Sequence, residues 1–138
     1  MISKSNLIIL IIVFFAGIFV TNCSDDEKED TLVGTWVLTS MKYDFGLGII
    51  ITVDPTELGL SMRLTVRDDH SYTMVMTEEG ETSTSNGEWA TSGGKLFITE
   101  EGETMEFDYT LKGDKLEISF EETEDSQTYT ITQVFTRQ

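Results

Sequence analysis

From Thr104 to Glu121 the chain alternates apolar and polar side chains twice over, with one glycine-containing break between the two runs. In TMEFDYTL (104–111), Met105, Phe107, Tyr109 and Leu111 fall on one side, and Thr104, Glu106, Asp108 and Thr110 on the other. DKLEISFE (114–121) repeats the pattern with Leu116, Ile118 and Phe120. A period of two sends successive side chains to opposite faces of an extended strand, so each run has one dry face and one wet face. Such faces need partners, and a helix cannot satisfy them.

The same reading places Met62, Leu64 and Val66 on one face of SMRLTVRD, Tyr72, Met74 and Met76 on one face of HSYTMVMTE, and Leu96 and Ile98 in GKLFITE. Asp68-Asp69, Asn86-Gly87, Ser92-Gly93-Gly94, Glu101-Gly102 and Lys112-Gly113-Asp114 supply the residues that tight turns require. Expected strands are 33–43, 61–68, 71–78, 82–90, 95–100, 104–111, 114–121 and 127–136. No stretch beyond the first 22 residues keeps a period of 3.6. Threonine agrees: it fills 19 of the 116 positions from Cys23 onward, and β-branched side chains pack well on a pleated surface. Short links between successive strands mean an antiparallel meander. Eight such strands can close into an up-and-down barrel with no free edge, so the expected class is all-β.

One link breaks the pattern. Asp44 to Leu60 (DFGLGIIITVDPTELGL) is long and apolar and holds the sole proline. Burying a side chain of this size contributes about 1.5 to 3 kcal/mol, so Phe45, Ile49, Ile50 and Ile51 are expected to cover one end of the barrel, either as a fixed plug or as a movable lid.

The N-terminus has a different character. Met1 to Asn6 carries one charge, Lys4, and Leu7 to Val20 is fourteen residues without a polar side chain. A span of the bilayer needs about 20 such residues, so residues 1–22 read as an export signal. They end at Val20-Thr21-Asn22-Cys23, and Cys23 is the single cysteine of the chain. A lone thiol in an exported protein has no disulfide partner. In its placement the segment resembles a bacterial lipoprotein signal, which implies cleavage before Cys23 and acylation of that residue. Residues 23–31, rich in Asp and Glu, then form a tether to a domain spanning 32–138. In some Gram-negative lipoproteins a similar acidic string marks the outer face of the outer membrane, so this likeness implies a lipid-anchored, surface-exposed protein.

From Cys23 onward there are 8 basic and 25 acidic side chains, a net charge of −17. Such a chain repels nucleic acid and anionic lipid headgroups alike, so attachment to a membrane rests on acyl chains and no nucleic-acid partner is expected.

Leu32-Val33-Gly34-Thr35-Trp36 opens the first strand, Gly87-Glu88-Trp89 lies in the middle, and Phe135-Thr136-Arg137 closes the chain. This ordered set, with Asp69-His70-Ser71-Tyr72-Thr73 at a turn, resembles the small bacterial lipocalin-like domains over residues 32–138. The resemblance implies that Trp36 closes the base of the barrel under Arg137, a pairing worth about 0.5 to 2 kcal/mol as cation–π attraction. It also implies a small apolar ligand. Met62, Leu64, Tyr72, Met74, Met76, Trp89, Met105, Phe107 and Tyr109 are the candidate lining, although the same stripe of methionine and aromatic residues would equally make a filled core.

No catalytic set assembles. His70, the sole histidine, sits in an Asp-Asp-His-Ser turn, and metal sites need several convergent ligands, so neither a metal nor a cofactor is expected. The pairs Glu78-Glu79, Glu100-Glu101 and Glu121-Glu122 read as solvating charge at strand ends. Two roles from different classes remain, and neither is an enzyme. One is a carrier of a small hydrophobic molecule. The other is a cell-surface interaction module with a filled barrel, docking another protein through its acidic face or the apolar 45–51 segment.

Overall fold

The structure, a computed structural model, describes residues 32–138. The signal segment 1–22, the tether 23–31 and Cys23 lie outside the described residues. Nine strands follow one another: β1 (Gly34–Asp44), β2 (Ile50–Val53), β3 (Leu60–Val66), β4 (Ser71–Glu78), β5 (Glu81–Ser92), β6 (Lys95–Glu100), β7 (Glu103–Lys112), β8 (Lys115–Glu124) and β9 (Gln127–Arg137).

Strands β3 to β9 pair antiparallel in sequence order. β1 then pairs with β3 on one side, Trp36 opposite Leu64, and with β9 on the other, Trp36 opposite Arg137. These pairings close an eight-stranded barrel. Its two-residue links at Glu79-Gly80, Gly93-Gly94, Glu101-Gly102 and Asp125-Ser126 all carry positive φ at both positions. That mirror-image turn matches the right-handed twist of the flanking strands.

Most threonines occupy the wet face, Thr91 being a buried exception. Thr77 and Thr82, Thr99 and Thr104, and Thr123 and Thr128 face each other across hairpins with their hydroxyls 2.8 Å apart, and Ser119 meets Thr132 at the same distance. Cross-strand hydroxyl pairs of this kind are the unit from which a sheet surface is stabilised.

Three features differ from the expectations. The first is β2, a ninth strand within the apolar link: its Ile50 to Val53 pair with Asp44 to Met41, along the stretch of β1 that lies beyond β3. A single 3-10 turn, Pro55–Leu58, capped by the Asp54 carboxylate accepting from the Thr56 amide, then leads into β3. The second concerns burial of this link. Leu47, Ile49, Ile50 and Ile51 are 77%, 58%, 60% and 48% exposed, so they neither plug nor cover the barrel. Pairing with β1 sends Ile50 and Ile51 to opposite sides, Ile51 on the face of its inward partner Tyr43. Phe45 leans inward, its ring 5.4 Å from that of Tyr129. The third is Asn86-Gly87, which is not a turn but lies inside β5, where Gly87 stands opposite Tyr72.

The core is uneven along the barrel axis. At the lower end, where β1 begins and β9 ends, Trp36, Leu64, Val66, Tyr72, Trp89, Leu96, Leu116 and Phe135 are buried together. Farther along, Met41, Leu60, Met62 and Ile131 are still buried, whereas Met74, Met76, Ile98, Met105, Phe107, Tyr109, Phe120 and Tyr129 of the inward series are only partly buried.

Candidate functional site

At the base, Trp36 is fully buried and its indole N–H donates to the Leu32 carbonyl at 2.8 Å. The Arg137 guanidinium lies over the ring, its carbon 4.2 Å from the centroid, and donates to the Val33 carbonyl at 2.8 Å. Gly34 makes this approach feasible, because a side chain there would collide with the guanidinium, and its φ of +150 is one that side-chain-bearing residues rarely adopt. Trp89 is held in a similar way: its indole N–H donates to the Arg67 carbonyl at 2.9 Å, and His70 packs on its ring at 5.2 Å. His70 thus serves as a packing residue in the β3–β4 turn, with its own φ at +65.

The base is therefore solid, and three of the candidate lining residues, Leu64, Tyr72 and Trp89, belong to it, while Met62, also buried, stands opposite Met76. The other five, Met74, Met76, Met105, Phe107 and Tyr109, are partly buried members of the inward series.

A feature of the wall adjoins the upper interior. The β7–β8 ladder runs only from Asp108 opposite Ser119 to Lys112 opposite Lys115. Above it, β7 keeps its pairing with β6 and β8 keeps its pairing with β9, but no ladder joins the two. The rings of Phe107 and Phe120 meet edge to face across this seam, 6.1 Å apart.

The polar groups of the upper interior were not identified from the sequence. Glu78 extends the series Tyr72, Met74, Met76; Glu100 extends Leu96, Ile98; Glu122 extends Leu116, Ile118, Phe120. Each is the inward member of an acidic pair whose other member points to water. Period two, carried two residues past the last apolar position, is the signal that finds them. Tyr72 donates to the Glu100 carboxylate at 3.1 Å. Burial, with that carboxylate beside it, pushes the Tyr72 phenol up to about 12. Tyr129 is pushed up to about 12 in the same way, by burial and by Glu122, to which its hydroxyl donates. The Glu122 carboxyl is itself raised above the usual carboxylate range by burial, against the opposing effect of the Tyr129 hydrogen bond. Glu78, 8% exposed, is raised by burial and by Glu79 beside it.

Three side-chain atoms of the inward face are shielded from water without a hydrogen-bond partner: Oε2 of Glu122, the hydroxyl of Tyr109 and the hydroxyl of Ser85 opposite Met74. Rings surround the first. Tyr43 and Tyr129 are 6.4 Å apart, and Tyr129 bridges to Phe45. Among the described residues, no group of three or more His, Cys, Asp or Glu side chains is arranged to hold a metal ion. A shallow groove of about 300 Å³ on the outer wall, beside Val37, Arg63 and Val75, belongs to the opposite face of the sheet.

An up-and-down barrel of eight strands, sealed at one end by a tryptophan under an arginine, defines the lipocalin-like class. The chain belongs to the lipocalin-like domain family, whose model matches residues 32–118. Among solved structures, it is similar to a lipocalin-like protein from Bacteroides uniformis, at 15% identity and a TM-score of 0.51, covering 78% of this chain and 99% of that one. An uncharacterized protein from Bacteroides eggerthii follows at 13% identity and 0.49, covering 77% and 98%. The siderocalin Ex-FABP, described as functioning through dual ligand specificities, is 9% identical at 0.47, covering 78% and 74%. No curated protein matches the sequence. At these identities the likeness is one of fold.

Proposed function

We propose that the chain is a lipid-anchored carrier at the outer membrane that holds a small, largely apolar molecule in the upper half of its barrel and performs no chemistry on it. One observation carries the reading: methionine and aromatic side chains of the inward series, from Met74 to Tyr129, stay partly exposed while the lower interior is filled. Flexible thioethers and rings offered to solvent inside a preformed barrel make a lining that adapts to a guest. The anchor rests on Cys23, the lone thiol behind a fourteen-residue apolar run.

The test uses the protein from residue 23 onward and N-phenyl-1-naphthylamine, an uncharged fluorescent probe. Binding should raise and blue-shift the emission, and Met105→Trp, which fills the interior, should weaken it about tenfold, the loss of about 1.4 kcal/mol. An unchanged spectrum at saturating probe rules the carrier out. In cells, radiolabelled palmitate should enter the full chain and not its Cys23→Ala variant.

A second reading, the surface interaction module, is favoured by a different observation. Ile49, Ile50 and Ile51 are exposed, and among the described residues β2 pairs only with β1, so its outer edge is open. An apolar open edge accepts an added strand, so the partner in this reading is an extended segment of another protein. Changing the three isoleucines to serine should abolish capture of that partner on intact cells while leaving probe binding intact. Equal capture by the variant refutes the module.

A further inference from the structure

The charged side chains that share the inward face of the barrel are of one sign. At the upper end they are Glu78, Glu81, Glu100, Glu103, Glu122 and Glu124. The lysines of the strands, Lys42, Lys95, Lys112 and Lys115, all fall in the outward series, as does Arg63. Two of them pair there: Lys42 with Glu117 at 2.7 Å, and Lys95 with Asp108 at 2.6 Å. Arg137 is the inward exception, and it lies at the far end on Trp36. The upper interior thus offers carboxylates, phenols, thioethers and rings, and no cation among the described residues.

A wholly apolar guest leaves this arrangement unexplained. Leaving a shielded polar atom without a partner is costly, and although Tyr129 bonds to the partly buried Glu122 carboxylate, the Oε2 atom of that carboxylate is shielded from water with no hydrogen-bond donor, as is the Tyr109 hydroxyl lower on the inward face. Glu78 is buried too, with the Glu79 charge beside it. Around Glu122 stand the rings of Tyr43 and Tyr129, with Phe45 beyond, and ring faces attract cations as they do not attract anions. A carboxylate beside aromatic rings satisfies an ammonium group. It repels a fatty acid.

We propose that the upper barrel binds a cationic amphiphile, an alkylammonium compound whose charged head sits at Glu122 beside Tyr43 and Tyr129 and whose tail lies along Met74, Met105 and Phe107. This rests on the carrier reading and narrows its ligand class. The ammonium partners the orphaned Glu122 oxygen, the rings supply cation–π contact, and the thioether and phenyl lining takes the tail. The net charge of the whole chain draws the same ligand toward the barrel but does not choose a place for it.

Three probes with one tail separate the possibilities: decyltrimethylammonium, decanol and decanoate, each titrated calorimetrically into the protein from residue 23 onward, below its micelle concentration. The ammonium compound is expected to bind at least about tenfold more tightly than decanol, the effect of one desolvated charge pair, and decanoate more weakly than either. Glu122→Gln should bring the ammonium compound level with decanol and leave decanol unchanged, which also shows that the barrel has folded. Glu121→Gln removes the same charge from the outward face one residue away, and should keep the preference. If Glu121→Gln lowers the preference as much as Glu122→Gln, the attraction is general surface charge and the proposal fails. If decanol and the ammonium compound bind equally to the unaltered protein, the proposal fails while the carrier stands. If no probe binds, both fail.

Discussion

Trp36→Ala should lower the free energy of unfolding by about 3 to 5 kcal/mol, as removal of a large buried aromatic does. The side chain is fully buried among Leu64, Leu116 and Phe135, so neighbours on several strands lose contacts at once. The indole N–H bond to Leu32 is lost as well, and Arg137 loses the ring beneath it. A domain of this size has about 5 to 15 kcal/mol in total, so the variant approaches the limit of folding. Trp36→Phe keeps a ring under the guanidinium and should cost less. Urea unfolding followed by the emission of the remaining Trp89 measures both. A change below about 1 kcal/mol for the alanine variant would mean that the base is not held together by this ring.

Gly87→Ala should cost about 3 kcal/mol for a single added methyl group, the upper range of an overpacked core. The Cβ would fall on the Thr99 carbonyl oxygen, well inside contact distance, and 2.9 Å from Cε1 of Tyr72. The first of these is backbone and cannot rotate away. Tyr72 is fixed in turn, being 2% exposed and bonded to Glu100. The backbone at Gly87 is ordinary extended strand, so no relief of a strained φ enters the balance. Thermal unfolding by circular dichroism reads the result, and a midpoint equal to that of the unaltered protein would show that β6 does not press on β5 at this point.

Most of the barrel was legible in the sequence because period two survives in most of its strands, with a break in β1 where the register shifts between Leu38 and Ser40. Each of the eight expected strands has its counterpart within a few residues at either end. Trp36 and Arg137, named from opposite ends of the chain, stand in register. What escaped was governed by contacts that alternation does not encode. Ile50 to Val53 carry no alternation, and they form β2 because the upper part of β1 had a free side once β3 ended at its lower part. Asn86-Gly87 has the composition of a turn, yet the glycine answers to the carbonyl of Thr99 in the next strand, far beyond the reach of local pattern. The inward glutamates were misread because charge suggested solvent, although their parity pointed to the interior.

The unladdered stretch between β7 and β8 separates two duties of the wall. Main-chain groups of Glu103 to Phe107 and of Phe120 to Glu124 that face each other have no rungs between them, so the wall can breathe at that place for little energy. The indole clamp lies at the other end of the barrel and need not loosen when it does. Amide exchange should therefore be fast along that flank and slow around Trp36, so loosening of one side costs the scaffold nothing in cohesion.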